Sequence, residues 1–318
     1  MLSLKSVKPT DAEAYAAVVS SIHPDEIPDP EVLRSRWRDE SRRPHDQALH
    51  LIVDGDRVCG LAFWTRPESW ESGQPRLAYV NVRMTFSNQS DEDFGWILKR
   101  MERGALSAGA NLARAVTRED EPFHRQMLER HGYLVDRLSR SWCLDLVKHQ
   151  ENLINARSLS RKMMLELEIR TTTLASCGKD DVWRKLYELT VQTIPDIPSS
   201  VREPIPTFET WLLGMRGPDM YAERIWTAWA GARLVGYSYL TYPQAGNVWT
   251  GYTATRKEDR QRGIARAVKL ETIGQAVELG IASIQTNNDI ENSAILHINQ
   301  SLGYEPLPGF VTHMKPLA

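Results

Sequence analysis

The sequence contains two diverged copies of one pattern, separated by 171 to 176 residues. A glycine–arginine–glycine pattern within a predicted hairpin recurs 176 residues later, with Gly55, Arg57 and Gly60 followed by Gly231, Arg233 and Gly236. Trp37 and Trp211 lie 174 residues apart, and Gly132-Tyr133 returns as Gly303-Tyr304. Landmarks that keep one order at nearly one offset indicate two copies of one fold, each the size of a domain rather than of a solenoid repeat.

Length and charge restrict the functions to be considered. A chain of 318 residues is long enough for two ordinary domains. Its net charge of −2 predicts neither a nucleic-acid partner nor attraction to a membrane surface. We see neither a signal peptide nor an apolar run of the roughly 20 residues that a membrane span needs. The three cysteines have no metal or redox spacing, so we expect reduced thiols, no bound metal and a cytoplasmic protein.

Periodicity within the second copy predicts strands and helices in alternation. The predicted strands are Glu166–Thr173, Arg224–Trp229, Leu234–Tyr242, Val248–Thr255, Ser283–Thr286 and Phe310–Lys315. The predicted helices are Lys179–Gln192, Phe208–Met215, Gly263–Leu279 and Ser293–Ser301. Hairpins combined with a strand–helix–strand crossover predict an α/β (α+β) fold, with a mixed sheet and helices on both faces. We divide the chain into a first domain over residues 1–147, a connecting helix over 148–165 and a second domain over 166–318.

One loop of the second copy carries the clearest chemical signal. The predicted strand Val248–Thr255 runs into Arg260-Gln261-Arg262-Gly263-Ile264-Ala265, and a helix follows. A strand that passes through glycine into a helix presents unpaired backbone N–H groups at the positive end of the helix dipole, where phosphate commonly binds. The excess of basic residues around this loop favours an anionic ligand.

The register of this loop resembles the acyl-CoA-binding motif of the GCN5-related N-acetyltransferases (GNAT). That motif has Arg or Gln, two residues, Gly, one residue, then Gly or Ala, here Arg260, Gly263 and Ala265. Asn292 and Leu302-Gly303-Tyr304 follow at the spacing of the family. The resemblance covers about residues 250–304, and the internal repeat extends the expected fold over the whole chain as a tandem duplication.

The resemblance implies acetyl-CoA, or another acyl-CoA, as co-substrate. The backbone of Gln261 to Arg266 (Gln261, Arg262, Gly263, Ile264, Ala265 and Arg266) would bind the pyrophosphate, with Arg260 adding charge. The backbone of Thr253, Ala254 and Thr255 would pair with the pantetheine arm like an added strand, and Asn292 would contact the arm or cap the following helix. A primary amine of a small molecule would then attack the thioester directly.

The acid–base residues are less evident. Asn299 occupies the position where the family usually has the tyrosine that contacts the thiolate, and an amide can donate a hydrogen bond but cannot transfer a proton. An ordinary helix-face amide that caps a nearby backbone group is the equal alternative for Asn299. For the acceptor pocket we name Asp196 and Glu203 in the proline-rich segment 194–208, Tyr252 on the central strand and Asn288 after the next strand.

The first copy lacks the features of the loop. Its corresponding segment, Thr85 to Lys99, has no Arg-x-x-Gly-x-Ala pattern and carries Asp91, Glu92 and Asp93 where phosphates would bind. Acidic side chains occupy a helix N-terminus favourably but repel an anionic ligand. We therefore expect a degenerate first domain without cofactor, which either acts as a scaffold or lends residues to the substrate cleft.

The sequence thus predicts an acyl-CoA-dependent N-acetyltransferase. A non-catalytic acyl-CoA-binding sensor stays open as the alternative, because the family's tyrosine is missing and no general base stands out. An O-acyltransferase or an aminoacyl transferase on the same fold is a third possibility. The chain can be a monomer or a homodimer.

Overall fold

The computed structural model describes residues 2–40, 47–67, 69–70, 72–178 and 181–318. The described residues of the first half form α-helices and β-strands. In chain order they are β1 (Leu2–Ser6), α1 (Ala12–Ile22), α2 (Pro30–Glu40), β2 (Gln47–Asp54), β3 (Arg57–Thr65), β4 (Leu77–Met84), α3 (Asp91–Ser107), β5 (Leu112–Arg118), α4 (Pro122–Arg130) and β6 (Leu134–Asp145). A long helix, α5 (Leu146–Glu166), leads into the second half.

The second half repeats the order of the first. Its elements are β7 (Ile169–Thr173), α6 (Val182–Thr193), α7 (Phe208–Gly214), β8 (Ile225–Ala230), β9 (Arg233–Thr241), β10 (Val248–Thr255), α8 (Ile264–Glu278), β11 (Ser283–Asp289), α9 (Ser293–Ser301) and β12 (Glu305–Pro316). The predicted strand bounds of β10 and the predicted helix bounds of α9 are met.

All twelve of these strands belong to one mixed sheet, in the order β1-β2-β3-β4-β5-β12-β6-β11-β10-β9-β8-β7. The predicted mixed sheet is therefore confirmed. The two halves exchange their final strands: β12 lies between β5 and β6, and β6 lies between β12 and β11. β6 pairs with β11 from Ser283↔Asp145 to Asp289↔Ser139, and β12 pairs with β5 from Phe310↔Arg118 to Pro316↔Leu112.

Helices cover both faces of the sheet, as alternation along the strands requires. Neighbouring residues of β9 show the two faces: Leu234 packs in the core beneath α6, whereas Val235 packs in the core beneath α8. The helix α5 lies along α8, where Arg157 Nε and Arg161 Nε donate to Glu271 at 2.7 and 2.6 Å. Gly274 of α8 makes room for this contact, since a Cβ there would lie 2.4 Å from Arg157 Cδ.

The repeated landmarks adopt the same conformations in both halves. Gly55 and Gly231 close the hairpins with φ of 59° and 58°, in the left-handed region that glycine adopts without strain. Gly132 and Gly303 end α4 and α9 with φ of 84° and 89°. The tyrosine after each of them is buried. Both copies therefore end this helix with a left-handed glycine followed by a buried aromatic residue.

Some predicted bounds need correction. Glu166 ends α5, and β7 begins only at Ile169, because the helix continues where the sequence predicts a strand. β11 continues to Asp289 and β12 spans Glu305–Pro316, longer than predicted, because β6 supplies pairing partners along both strands. The predicted start of α6 at Lys179 lies outside the described residues, and the described helix begins at Val182.

Candidate functional site

A gap opens between β10 and β11 in the second half. These parallel strands pair only at Val248↔Ile284 and Trp249↔Gln285. On its other side β10 stays paired with β9 up to Thr255↔Gly236, with a bulge between Thr250 and Tyr252. The edge of β10 that faces β11 therefore has no strand partner over residues 250–255 within the described chain. An extended, amide-rich ligand can hydrogen-bond to such an edge as an added strand.

The loop after β10 ends in a helix N-terminus that is shaped to bind an anion. Gln261 and Gly263 have φ of 62° and 77°, and Gly263 is the N-cap residue of α8. Alternation of left-handed and right-handed backbone turns consecutive N–H groups to one side, which makes an anion-binding concavity. In the described part of the chain, no acceptor contacts the backbone N–H groups of residues 261–266. The loop can thus offer several donors to a pyrophosphate.

The basic side chains of the loop differ in how they are held. Arg260 hydrogen-bonds to the Thr255 carbonyl and forms an ion pair with Asp196. Arg262 donates to buried Asp259 at 2.9 Å. Arg266 forms no ion pair with any residue that the structure describes, so its charge is available to a ligand. Asp196, predicted for the acceptor pocket, is instead engaged with the predicted cofactor residue Arg260.

Two buried polar oxygens lie beside the gap, one on β10 and one on α9. Thr255 Oγ1 and Asn299 Oδ1 are buried and have no hydrogen-bond partner in the described structure. Asn299 has no exposed surface, and its Nδ2 donates to Asn288 Oδ1 at 2.7 Å, linking α9 to β11. Buried polar atoms are normally hydrogen-bonded, so unpaired ones beside a gap indicate a place for ligand or water. Together with the free N–H groups, these residues fit an acyl-CoA.

Other predicted residues are placed as follows. Thr253 Oγ1 hydrogen-bonds to Ser238 Oγ at 2.9 Å, and the Tyr252 hydroxyl to Thr193 Oγ1 at 3.2 Å. Ala254 and Ile264 are buried in the packing around β9. Asn292 is the N-cap residue of α9, but its side chain makes no capping hydrogen bond, so the predicted capping role is wrong.

Glu203 lies away from the gap. It forms an ion pair with Arg114 of β5, whose guanidinium also donates to the Tyr79 hydroxyl at 3.2 Å. The segment 194–208 of the second half therefore reaches over strands of the first half. Sequence reasoning could not identify this pairing, because the two residues are far apart in the chain and belong to different copies.

The sequence pattern does not predict the burial of Lys269. Lys269 of α8 is fully buried, and its ammonium lies 4.8 Å from the centroid of the Tyr304 ring without a hydrogen-bond partner in the described structure. Burial lowers the pKa of Lys269 to about 7. A lysine among apolar residues of a helix signals this position only weakly, because lysines on helices usually reach solvent.

The corresponding gap of the first half is closed by its own side chains. β4 and β5 also pair only over three residues, from Leu77↔Leu112 to Tyr79↔Arg114. Beyond that point, Asn81 Nδ2 donates to the Val116 carbonyl at 2.9 Å, and the Met84 N–H donates to His124 Nε2 at 3.0 Å. Met84 corresponds to Thr255, since each pairs with the equivalent hairpin glycine.

Acidic residues complete the closure. Arg118 binds Asp25 and Asp120 at 2.8 and 2.9 Å, and Ser90 caps α3 ahead of the three acidic residues of its first turn. Glu121 contacts His23. Burial alone would raise the pKa of Glu121, but the His23 hydrogen bond and the Arg83 charge lower it to about 2.

Metal-binding groups, membrane-spanning helices and disulfide bonds are not found among the described residues. Within the described residues, no group of three or more His, Cys, Asp or Glu side chains could hold a metal ion. None of the described helices has both the length and the apolar character that a membrane span needs. The cysteines Cys59, Cys143 and Cys177 are free, and burial raises the pKa of the Cys59 and Cys143 thiols.

Comparisons with solved structures identify the fold. No protein-family model and no curated protein matches the sequence. A GCN5-related N-acetyltransferase from Sphaerobacter thermophilus is 17% identical, with a TM-score of 0.71 over 99% of this chain and 96% of its own. A tandem GNAT protein from the clavulanic acid biosynthesis pathway, without AcCoA, is 15% identical, with a TM-score of 0.75 over 100% and 99%.

A third similar structure is a glucosamine N-acetyltransferase region of a fungal multi-domain GH3 β-N-acetylglucosaminidase. It is 13% identical, with a TM-score of 0.69 over 98% of this chain and 38% of that one. Identities this low establish the fold and no more. The chain is a tandem GNAT-fold protein, as its repeat and loop predict.

Proposed function

We propose that this protein is an acyl-CoA-dependent N-acyltransferase that transfers an acetyl group from acetyl-CoA to a primary amine of a small molecule. The single observation that carries the proposal is the row of unpaired N–H groups at residues 261–266, beside the free edge of β10. The tandem GNAT fold supports it.

Residues of the second half would hold the co-substrate. The N–H groups of residues 261–266, with the Arg266 charge, would bind the pyrophosphate, and the free edge of Thr253 to Thr255 would bind the pantetheine amides. Acyl-CoA supplies the activated thioester. Thr255 Oγ1 and Asn299 Oδ1 are the buried oxygens available to donor groups of a ligand in the gap. We assign one acyl-CoA per chain, because His124 already occupies the Met84 N–H in the first half.

A non-catalytic acyl-CoA-binding role is the second candidate. It is favoured by Asn299, which cannot transfer a proton and whose amide donates to Asn288. Asp196 and Glu203 are both held by arginines, which leaves neither as an evident base. A thiol-release assay over a panel of amines separates the two roles, since binding of acetyl-CoA without turnover on any amine supports the sensor.

Calorimetry with acetyl-CoA tests the site itself. We expect Gly263→Glu to abolish binding, because the substitution places a carboxylate at the anion site and a Cβ 2.6 Å from Met163 Cε. Gly280→Glu is the matched control: Gly280 follows the same helix, has a φ of 73° and meets nothing within 4 Å. Equal binding by the two variants, or no binding by the native protein, would refute the cofactor assignment.

A further inference from the structure

A cavity of about 460 Å³ lies between the two halves on the face of the sheet that carries α6 and α7. The first half contributes Arg36 and its neighbours on α2, and the second half contributes Trp211 of α7, Asp219 and Tyr239 of β9. We call this the interhalf cavity. Its volume lies in the range of sites for small organic ligands.

The interhalf cavity contains the buried carboxylate of Asp219, whose negative charge has no close positive partner among the described residues. Asp219 is 7% exposed, and its carboxylate accepts no hydrogen bond from the described residues. Among the described residues, the cation nearest to it is Arg36 Nη2 at 4.0 Å, on a side chain that is 65% exposed. A buried carboxylate needs a closer positive partner, so the cavity favours a cationic ligand. Trp211 and Tyr239 also line the cavity, and aromatic rings attract ammonium groups.

The interhalf cavity lies beside the proposed acyl-CoA site but does not open onto it directly. The Tyr239 ring covers Gly251 in the bulge of β10, since a Cβ at Gly251 would lie 2.0 Å from the ring. The free edge of β10 faces β11, on the far side of β10 from β9. Neighbouring strands lie about 4.8 Å apart, so a nitrogen paired with Asp219 cannot also be at that edge.

We propose that the interhalf cavity binds the acceptor as a diamine. One ammonium group pairs with Asp219, and the second amino group reaches past Tyr239 to the free edge of β10. The positive charge of the ligand is inferred from the cavity, whereas a second amine and its acylation rest on the proposed function. The first half thus supplies the α2 wall of the cavity that receives the acceptor.

Calorimetry with octane-1,8-diamine and the matched monoamine octylamine tests whether an ammonium group binds at Asp219. We expect both to bind, because each offers one ammonium to Asp219, and Asp219→Asn to weaken both about ten- to hundred-fold. Arg36→Gln should tighten binding about two- to five-fold, because it removes a competing cation. Glu209→Gln is the matched control, an exposed carboxylate on α7 outside the cavity, and should bind both as the native protein does.

Acylation tests the orientation. With acetyl-CoA present, the diamine should be acetylated and octylamine should inhibit without being acetylated, because its only nitrogen is held at Asp219. Unchanged diamine affinity in both Asp219→Asn and Arg36→Gln, each checked for folding by circular dichroism, overturns the inference. If acetyl-CoA fails to bind while the diamine binds through Asp219, the cavity assignment is supported and the proposed function fails. If other amines are acetylated and Asp219→Asn binds the diamine as tightly as the native protein does, the cavity inference fails and the proposed function stands.

Discussion

Replacing the buried Lys269 by methionine should stabilise the protein. The ammonium is fully buried, has no hydrogen-bond partner in the described structure and lies 4.8 Å from the centroid of the Tyr304 ring. Burial of a charge without a hydrogen-bonded partner is unfavourable, and methionine fills a similar volume without the charge. The effect of Lys269→Met should depend on pH in a way that identifies its cause.

The magnitude follows from the pKa of Lys269. Burial lowers it from 10.5 to about 7, and one pKa unit corresponds to about 1.36 kcal/mol. Between those two pH values the unfolded chain holds a proton that the folded chain has released, so the stability of the native protein rises with pH. The charge therefore destabilises the fold by about 4 kcal/mol at pH 7 and about 2 kcal/mol at pH 9, and the variant regains these amounts.

Urea denaturation of both proteins at pH 7 and pH 9, followed by tryptophan fluorescence, measures the difference. Lys162→Met is the control, because Lys162 is exposed on α5 and should give a small change that does not vary with pH. A stabilisation by Lys269→Met that is the same at both pH values would show that the ammonium is not desolvated. A destabilised variant at pH 7 would show that the lysine makes a favourable contact.

Two further predictions concern the exchanged strands and the closed first half. A fragment of residues 166–318 should not fold alone, because β11 loses its seven-residue pairing with β6. The fragment should become soluble when it is co-expressed with residues 1–165. A dispersed NMR spectrum of the fragment alone would contradict the prediction. Burial and the Arg83 charge lower the pKa of His124 to about 4. The unfolded chain therefore binds more protons below pH 6.5, and the native protein should lose about 2 kcal/mol between pH 6.5 and 4.5 that His124→Gln retains in urea denaturation. Parallel losses in the two proteins would exclude His124 as the cause.

Much of the fold could be predicted because its signals are local. The β-branched and aromatic residues of Val248–Thr255 and the pattern of Ser293–Ser301 predicted the observed bounds, because these signals lie within each element. Gly263 marked the helix start for the same reason: a left-handed residue there favours glycine in any fold. The repeat predicted that the first half has the same order of helices and strands as the second.

The acid–base residues of the candidate site could not be predicted in this way. Asp196 and Glu203 looked like available carboxylates, yet each is paired with an arginine, one of them in the other half. Lys269 is buried although a lysine on a helix usually reaches solvent, and buried Asp219 belongs to no local pattern that marks a site. The environment of a charge depends on side chains brought together from distant parts of the chain, and no local pattern records it.

The sequence by itself determined that this protein is a duplicated GNAT fold in which one copy retains the anion-binding loop. Only the tertiary structure decided that the copies share one sheet by exchanging β6 and β12. Both final strands are twelve residues long, so the choice of partner depends on the whole packed sheet rather than on the strand. The same packing brings α2 of the first half against the second and creates the interhalf cavity, whose chemistry neither copy contains alone.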